Sequence, residues 1–188
     1  MVLDIGTGDG RAVVARARAE PAALVVGIDA DARSMADASR RAARRADRGG
    51  APNALFLVAA AETLPGPFAG RASLVTVTFP WGSLLGGVVG QAPPVTAGIA
   101  GLMACGGRIE ILASIEPTDG VAGIERLDDS DRDRIAAAWA AHGLELACLR
   151  RATAGETSAS GSSWGRRLTR GGGSDRVVWR LELEARLR

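Results

Sequence analysis

The sequence predicts an α/β fold, a seven-stranded and mostly parallel sheet whose last strand runs antiparallel. Three observations carry this. Strand-like and helix-like segments alternate along the chain. The early strands are continuously apolar, as strands covered on both faces are. The last two strands follow one another with no helix read between them, which suits an antiparallel insertion. The 188 residues fit one domain with ample material for a core, and no internal repeat is visible.

Taken in order, residues 2–5, "VLDI", form a short apolar strand that opens directly onto a glycine turn. A helix follows over about 9–19 and is stopped by Pro21. Residues 24–28 are a second buried strand closing on Asp29. Residues 31–48 read as a helix, capped by Asp31 and ended by Gly49-Gly50. Strands are expected at 55–59 and 72–79, a helix somewhere within 96–104, and a strand at 108–114 after Gly106-Gly107. Residues 131–142 make another helix, with Gly143 as its stop, and 144–150 a strand. Residues 152–163 are rich in Gly, Ser, Thr and Ala and read as a mobile linker. The end of the chain, 176–187, alternates as an antiparallel strand with one wetter face does.

Composition excludes several classes. No apolar run is long enough to cross a bilayer, neither terminus looks like a targeting peptide, and two cysteines, Cys105 and Cys148, are too few for a disulfide framework. A reducing cytoplasm is the expected location, with no membrane, DNA or metal partner. Net charge is only +2, yet every one of the 23 basic residues is arginine. GC-rich coding explains most of that bias, although arginine is also the better phosphate ligand.

Chemistry begins at "VLDIGTGDG", residues 2–10, where a strand runs into a turn bearing Gly6, Gly8 and Gly10. A dinucleotide fingerprint needs G-x-G-x-x-G, and here the third glycine comes one position early. Asp4 lies inside the strand end, where a carboxylate suits an ammonium or sulfonium and repels a diphosphate. Asp29 ends the second strand, where an acid accepts bonds from ribose hydroxyls. Glu62 follows the third strand. Together they favour S-adenosylmethionine (SAM) over a dinucleotide.

Two tryptophans complete the pattern. In "FPWGSLL" the ring of Trp81 stands at a strand exit between Pro80 and Gly82, and carboxyl strand ends are where open parallel sheets hold ligands. In "SSWGRRL" the ring of Trp164 adjoins a loop with few apolar neighbours. Trp139 and Trp179, in contrast, read as ordinary core.

Seven strands with this ending resemble the Rossmann-like class I SAM-dependent methyltransferases. More narrowly, "DIGTGDG", "GIDAD", "AAAETLP", "FPWGSLL" and "SSWGRRL" are similar to the aminoglycoside-resistance 16S ribosomal RNA (adenine-N1)-methyltransferases, over residues 2 to about 176. The resemblance implies methylation of N1 of the decoding-site adenine within the assembled 30S subunit, conferring resistance to kanamycin- and apramycin-type aminoglycosides, by a monomer. It implies a flipped adenine held between Trp81 and Trp164, with Phe79 and Pro80 expected to shape the pocket and Ser162 and Ser163, beside Trp164, to orient the loop over the cofactor. It implies a cofactor set of Asp4, Gly6, Thr7, Gly8, Asp29, Ala30, Ala61, Glu62 and Ser83. The physics agrees. A base inside a duplex has to be unstacked to react, and aromatic faces offset part of that cost. N1 carries its own lone pair, so alignment matters more than a general base. The residues alone leave open the same cofactor chemistry on another RNA or a small molecule, and an inactive SAM-binding relative.

Two arginine groups complete the RNA reading. Arg40, Arg41, Arg44, Arg45 and Arg48 cluster at the end of the predicted 31–48 helix, where spacings of three and four put four of them on one face. Relatives carry a basic segment at the same place. Arg166, Arg167 and Arg170 follow Trp164 and are expected to grip the backbone beside the flipped base.

Overall fold

A computed structural model describes residues 1–170 and 176–186, without the side chains of 167–170. Seven strands form one sheet: β1 Val2–Ile5, β2 Val25–Asp29, β3 Ala54–Val58, β4 Ala72–Thr78, β5 Met103–Ala113, β6 Leu144–Arg151 and β7 Trp179–Ala185. Their order across the sheet is β3-β2-β1-β4-β5-β7-β6. The first five are mutually parallel, and β7 lies antiparallel between β5 and β6.

Two layers of apolar side chains cover the sheet. Alternate residues of the central strands, such as Val2, Val25 and Leu74, meet Val13, Val14 and Ala17 of helix α1 (Arg11–Ala19) and Ala38 and Ala42 of α2 (Ala32–Ala42). Their neighbours Leu3, Val26 and Val75 face the opposite way, toward Leu85 and Val88 of α3 (Gly82–Val88), Ile99 of α4 (Pro93–Ala100), and Ile135 and Trp139 of α5 (Arg132–Ala140). Period-two alternation in the strands thus builds two cores at once. Trp139 is wholly buried and donates from its indole N–H to the Val88 carbonyl, at 3.1 Å, so the core reading of that residue holds.

Several expected boundaries move. The helix read over 31–48 stops at Ala42, and Arg45 then adopts extended backbone before a single 3-10 turn at Ala46–Arg48. The Ala42 carbonyl accepts from the Ala51 amide at 2.9 Å, the bond that closes this excursion. Continuing the helix would have stacked like charges three and four residues apart. Arg41, Arg44, Arg45 and Arg48 therefore do not share a helix face. The helix placed within 96–104 begins earlier, at Pro93, because proline suits a first helical turn. Helix α3 was not anticipated.

The stretch read as a linker, 152–163, contains a helix, α6 (Ala154–Ala159), and α7 (Ser163–Arg170) follows it. A reciprocal capping box starts α6: Thr153 accepts from the Glu156 amide, and the Glu156 carboxylate accepts from the Thr153 amide. The same carboxylate takes both arms of Arg150 on β6, at 2.6 and 2.9 Å. β6 and β7 are thus antiparallel as expected, but two helices lie between them.

Candidate active site

Chain connectivity brings the carboxyl ends of β1 to β4 side by side, and a cavity of about 430 Å³ opens there. All nine residues expected to hold a cofactor and all five expected around the base line this one cavity. They arrive in groups from the ends of β1, β2, β3 and β4 and, for Ser163 and Trp164, from the helix α7, so strand order assembles what the chain keeps apart.

The glycine turn leaves β1 with Gly6 and Gly8 both at positive φ. A Cβ on Gly8 would meet nothing within 4 Å, so at this point the bare backbone faces open space. The Gly8 amide donates to Asp29 Oδ2 at 2.8 Å, and the Asp31 amide donates to Asp29 Oδ1 at 2.9 Å. The turn is thereby tied to the end of β2, and each Asp29 oxygen keeps a further lone pair for a ligand hydroxyl. Asp4 is buried, and its Oδ1 accepts from the Thr76 hydroxyl at 2.5 Å. Burial pushes the Asp4 carboxyl above the usual carboxylate range, against the pull of Thr76 and the nearby Thr7. The Thr7 hydroxyl has no hydrogen bond of good geometry, although it is nine-tenths buried. Glu62, beyond β3, lies against the Ser83 hydroxyl, which holds its carboxyl below the usual range.

The lining is acidic. Asp4, Asp9, Asp29 and Glu62 contribute to it, and among the described residues no arginine does. Such a cleft suits a cationic ligand bearing ribose hydroxyls and repels a diphosphate. SAM fits that description: the acid-lined glycine turn suits its charged methionine end, and Asp29 its ribose. Asp9 was not singled out from sequence. Its carboxylate accepts from the Arg11 amide at 3.1 Å, a role at the start of α1 that hides its place on the cleft wall.

At the other side of the cleft, Phe79 takes φ +52, the one positive value at a non-glycine among the described residues. Its amide still donates to the Leu112 carbonyl at 2.7 Å, so the strand stays paired while the backbone turns sharply. Strain of this kind persists only where its surroundings hold it. The turn throws Pro80 and Trp81 across the strand end. The Trp81 ring is 54% exposed, unusual for so large an apolar side chain. Trp164 reaches it from α7, with ring centroids 5.7 Å apart and planes at 76°. The indoles meet edge to face. Ser162 caps the approach to Trp164, accepting from the Trp164 amide at 3.2 Å, and Ser163 lines the cleft.

A family model for 16S rRNA (adenine(1408)-N(1))-methyltransferase, NpmA, matches residues 1–184. The chain belongs to this family. It is a SAM-dependent methyltransferase. The 16S rRNA (adenine(1408)-N(1))-methyltransferase of Streptoalloteichus tenebrarius is 38% identical over 173 residues, spanning 89% of this chain and 80% of the relative. Among solved structures, the 16S rRNA methyltransferase KamB matches with a TM-score of 0.88 at 34% identity, over 98% of this chain and 87% of that one. A tryptophan-to-alanine mutant of the family's enzyme from Catenulisporales acidiphilia, solved with its cosubstrate SAM, matches with a TM-score of 0.85 at 32% identity, over 98% and 85%.

The arginines are placed less simply. Helix α2 leads from the carboxyl ends of the strands back to their amino ends, so Arg40, Arg41, Arg44, Arg45 and Arg48 lie at the edge of the sheet away from the cleft. All five are exposed; Arg40 pairs with Asp37, and Arg45 with Asp47 at 3.2 Å. Arg166 Nη1 donates to the Gly161 carbonyl at 3.2 Å, within the turn that leads into α7. The side chains of Arg167 and Arg170 lie outside the described residues. Sequence reasoning missed one further partnership: Asp119, from a turn after β5, pairs with Arg176, which stands beside Trp81. Nothing in "EPTDG" announces a tryptophan nearly forty residues away.

Proposed function

We propose that this protein transfers the methyl group of SAM to N1 of the decoding-site adenine of 16S rRNA in the 30S subunit, as a cytoplasmic monomer, and so confers resistance to kanamycin- and apramycin-type aminoglycosides. The observation that carries this reading is the pairing of two partly exposed indoles, 5.7 Å apart, at the rim of an acidic cleft. A small metabolite does not call for two large rings at the mouth of a cofactor site, whereas an extruded base does. Family membership and the substrates named for the relatives point the same way. No helix among the described residues is long and apolar enough to cross a membrane.

SAM, when bound, supplies a methyl group activated by its sulfonium. Asp4 and Asp9 favour the charged methionine end, Asp29 the ribose hydroxyls, and Glu62 with Ser83 the region of the nucleobase. Trp81 and Trp164 clamp the target base with its N1 aimed at the methyl carbon. The N1 lone pair forms the new carbon–nitrogen bond as the carbon–sulfur bond breaks, and the adenine ring gains a positive charge. N1 carries no proton, so none has to be removed. The indole faces attract the cation that develops between them. The arginines at residues 40–48 form a second RNA contact, remote from the cleft, that registers the enzyme on ribosomal shape through phosphates. Arg166, Arg167 and Arg170 hold the backbone beside the flipped base.

Incubation with isolated 30S subunits and labelled SAM, followed by reverse transcription, tests the proposal. A stop at the decoding-site adenine is expected. Labelling of free adenosine, or of no RNA, refutes it.

A further inference from the structure

The Asp119–Arg176 pair has no part in the chemistry described so far, yet it ends on the Trp81 ring. The guanidinium carbon of Arg176 stands over that ring, 5.9 Å from its centroid. Both guanidinium arms are taken by Asp119, at 2.9 and 3.1 Å, a bidentate fork between residues 57 apart in sequence. The pair is shielded: the Asp119 side chain is 3% exposed and that of Arg176 19%. Asp119 is itself fixed, because its Oδ2 accepts from the Glu116 amide at 2.9 Å in a capping box around the Pro117–Asp119 turn. Burial pushes the Asp119 carboxyl up, but the bonds from Arg176 and Glu116 outweigh it and hold it below the usual range. Asp119 and Arg176 line one small cavity with Trp81, Trp164 and Ser114, behind the two indoles.

Resting on the reading that Trp81 stacks the target base, we propose that Asp119 is a positioning residue for that base. It holds Arg176 against one face of Trp81, so that the indole is fixed in orientation and presents its other face to the adenine.

Two physical consequences follow. A guanidinium over one face of an indole immobilises the ring by cation–π attraction, and the forked carboxylate fixes the guanidinium in turn. Asp119 also neutralises Arg176. A bare cation there would compete for the same ring quadrupole that stabilises the positive charge developing on the methylated base. Arg176 therefore acts on the tryptophan and is not a phosphate ligand, although its position before β7 invites that reading.

The two roles predict opposite outcomes for Asp119→Asn, a nearly isosteric change. If Arg176 positions Trp81, kcat on 30S subunits falls tenfold to about a hundredfold, the scale of a misplacement of about 1 Å. KM for 30S subunits and the Kd for SAM stay within about twofold. Asp119→Glu, which keeps the charge, restores part of the loss. Arg176→Lys, which lacks the fork, matches Asp119→Asn, and the double variant is no worse than either single one. If Arg176 is instead a phosphate ligand restrained by Asp119, releasing it tightens 30S binding and leaves kcat at the wild-type value, which overturns the proposal.

Tryptophan emission provides a readout independent of catalysis. Asp119→Asn is expected to change emission and quenching of the protein but not of a Trp81→Phe background. An equal change in both backgrounds overturns the proposal. Should wild-type protein fail to modify 30S subunits, the functional reading falls, while this optical arm still tests whether Asp119 sets the position of the ring. Where Asp119→Asn lowers the melting temperature enough to obscure kinetics, Arg176→Gln provides the same comparison.

Discussion

Replacing Trp81 by alanine separates a base-stacking role from a structural one, because the ring is more than half exposed. Its ring makes an edge-to-face contact with Trp164 and lies under the Arg176 guanidinium. Losing that contact costs about 1 kcal/mol of stability, the usual worth of an aromatic pair. Its proposed catalytic share is larger. Stacking one base on an aromatic ring contributes about 1–3 kcal/mol, and attraction to the charge developing on adenine adds about 1 kcal/mol. The sum, about 2–4 kcal/mol, corresponds to a loss of about 30-fold to 1000-fold in kcat/KM on 30S subunits, since about 1.4 kcal/mol is tenfold. The charge-dependent part, about 1 kcal/mol, falls on kcat, because that charge exists only in the transition state, and the stacking part also raises KM. Trp81→Phe keeps a smaller ring and retains part of the activity. Single-turnover methylation, SAM titration calorimetry and thermal denaturation measure the three quantities. A loss under about threefold, or a fall in SAM affinity as large as the fall in rate, refutes the reasoning.

Three further expectations follow from the geometry. Gly8→Ala and Gly10→Ala separate binding from folding. The first places a methyl in open space beside the cleft and weakens SAM binding with about 1–2 kcal/mol of left-handed strain, whereas the second also drives a Cβ to 2.5 Å from the Phe56 ring and loses about 2–5 kcal/mol of stability by denaturant titration. Trp139→Ala removes a wholly buried ring whose N–H serves the Val88 carbonyl, and denaturation should show a loss of about 3–5 kcal/mol. The Glu156 carboxyl, held down to about 2 by Arg150 first and by the Thr153 amide, has a folded-state value below its ordinary one. Its pairs stabilise the fold fully above the ordinary glutamate range and lose that contribution as pH falls toward 2. The melting-temperature gap between wild type and Glu156→Gln is therefore expected to be widest near neutrality and to close between about pH 4.5 and 2.

Local signals were readable wherever one short segment carries its own instruction. The strand–glycine–helix passage at residues 2–19, the Asp31 cap of α2 and the apolar runs of β1, β2 and β4 need no distant partner, and they form as expected. Boundaries failed where the deciding bond comes from elsewhere. Helix α2 stops at Ala42 because the Ala51 amide, on the far side of a glycine turn, takes its carbonyl. The polar stretch before Trp164 reads as a loop by composition, yet Glu156 turns it into α6 by capping Thr153 and binding Arg150 of β6. The antiparallel last strand was expected on the ground that no helix precedes it, and two helices do. The expectation held because the alternating pattern of β7 was itself correct.

The residues by themselves determined the chemistry on offer: an acid and a glycine turn after one strand, acids after two more, and tryptophans bracketed by proline, glycine and serine. Short-range sterics and charge write those features into adjacent positions. Only the tertiary structure decided which of them meet. Parallel pairing of β1 to β4 aligned their carboxyl ends into one cleft, and the return of the chain through α7 carried Trp164 to within ring contact of Trp81. It also sent the arginines of residues 40–48 to the other edge of the sheet and set Arg176, clasped by Asp119, over the Trp81 ring. Contacts between residues dozens of positions apart depend on strand order and register, which local sequence does not encode.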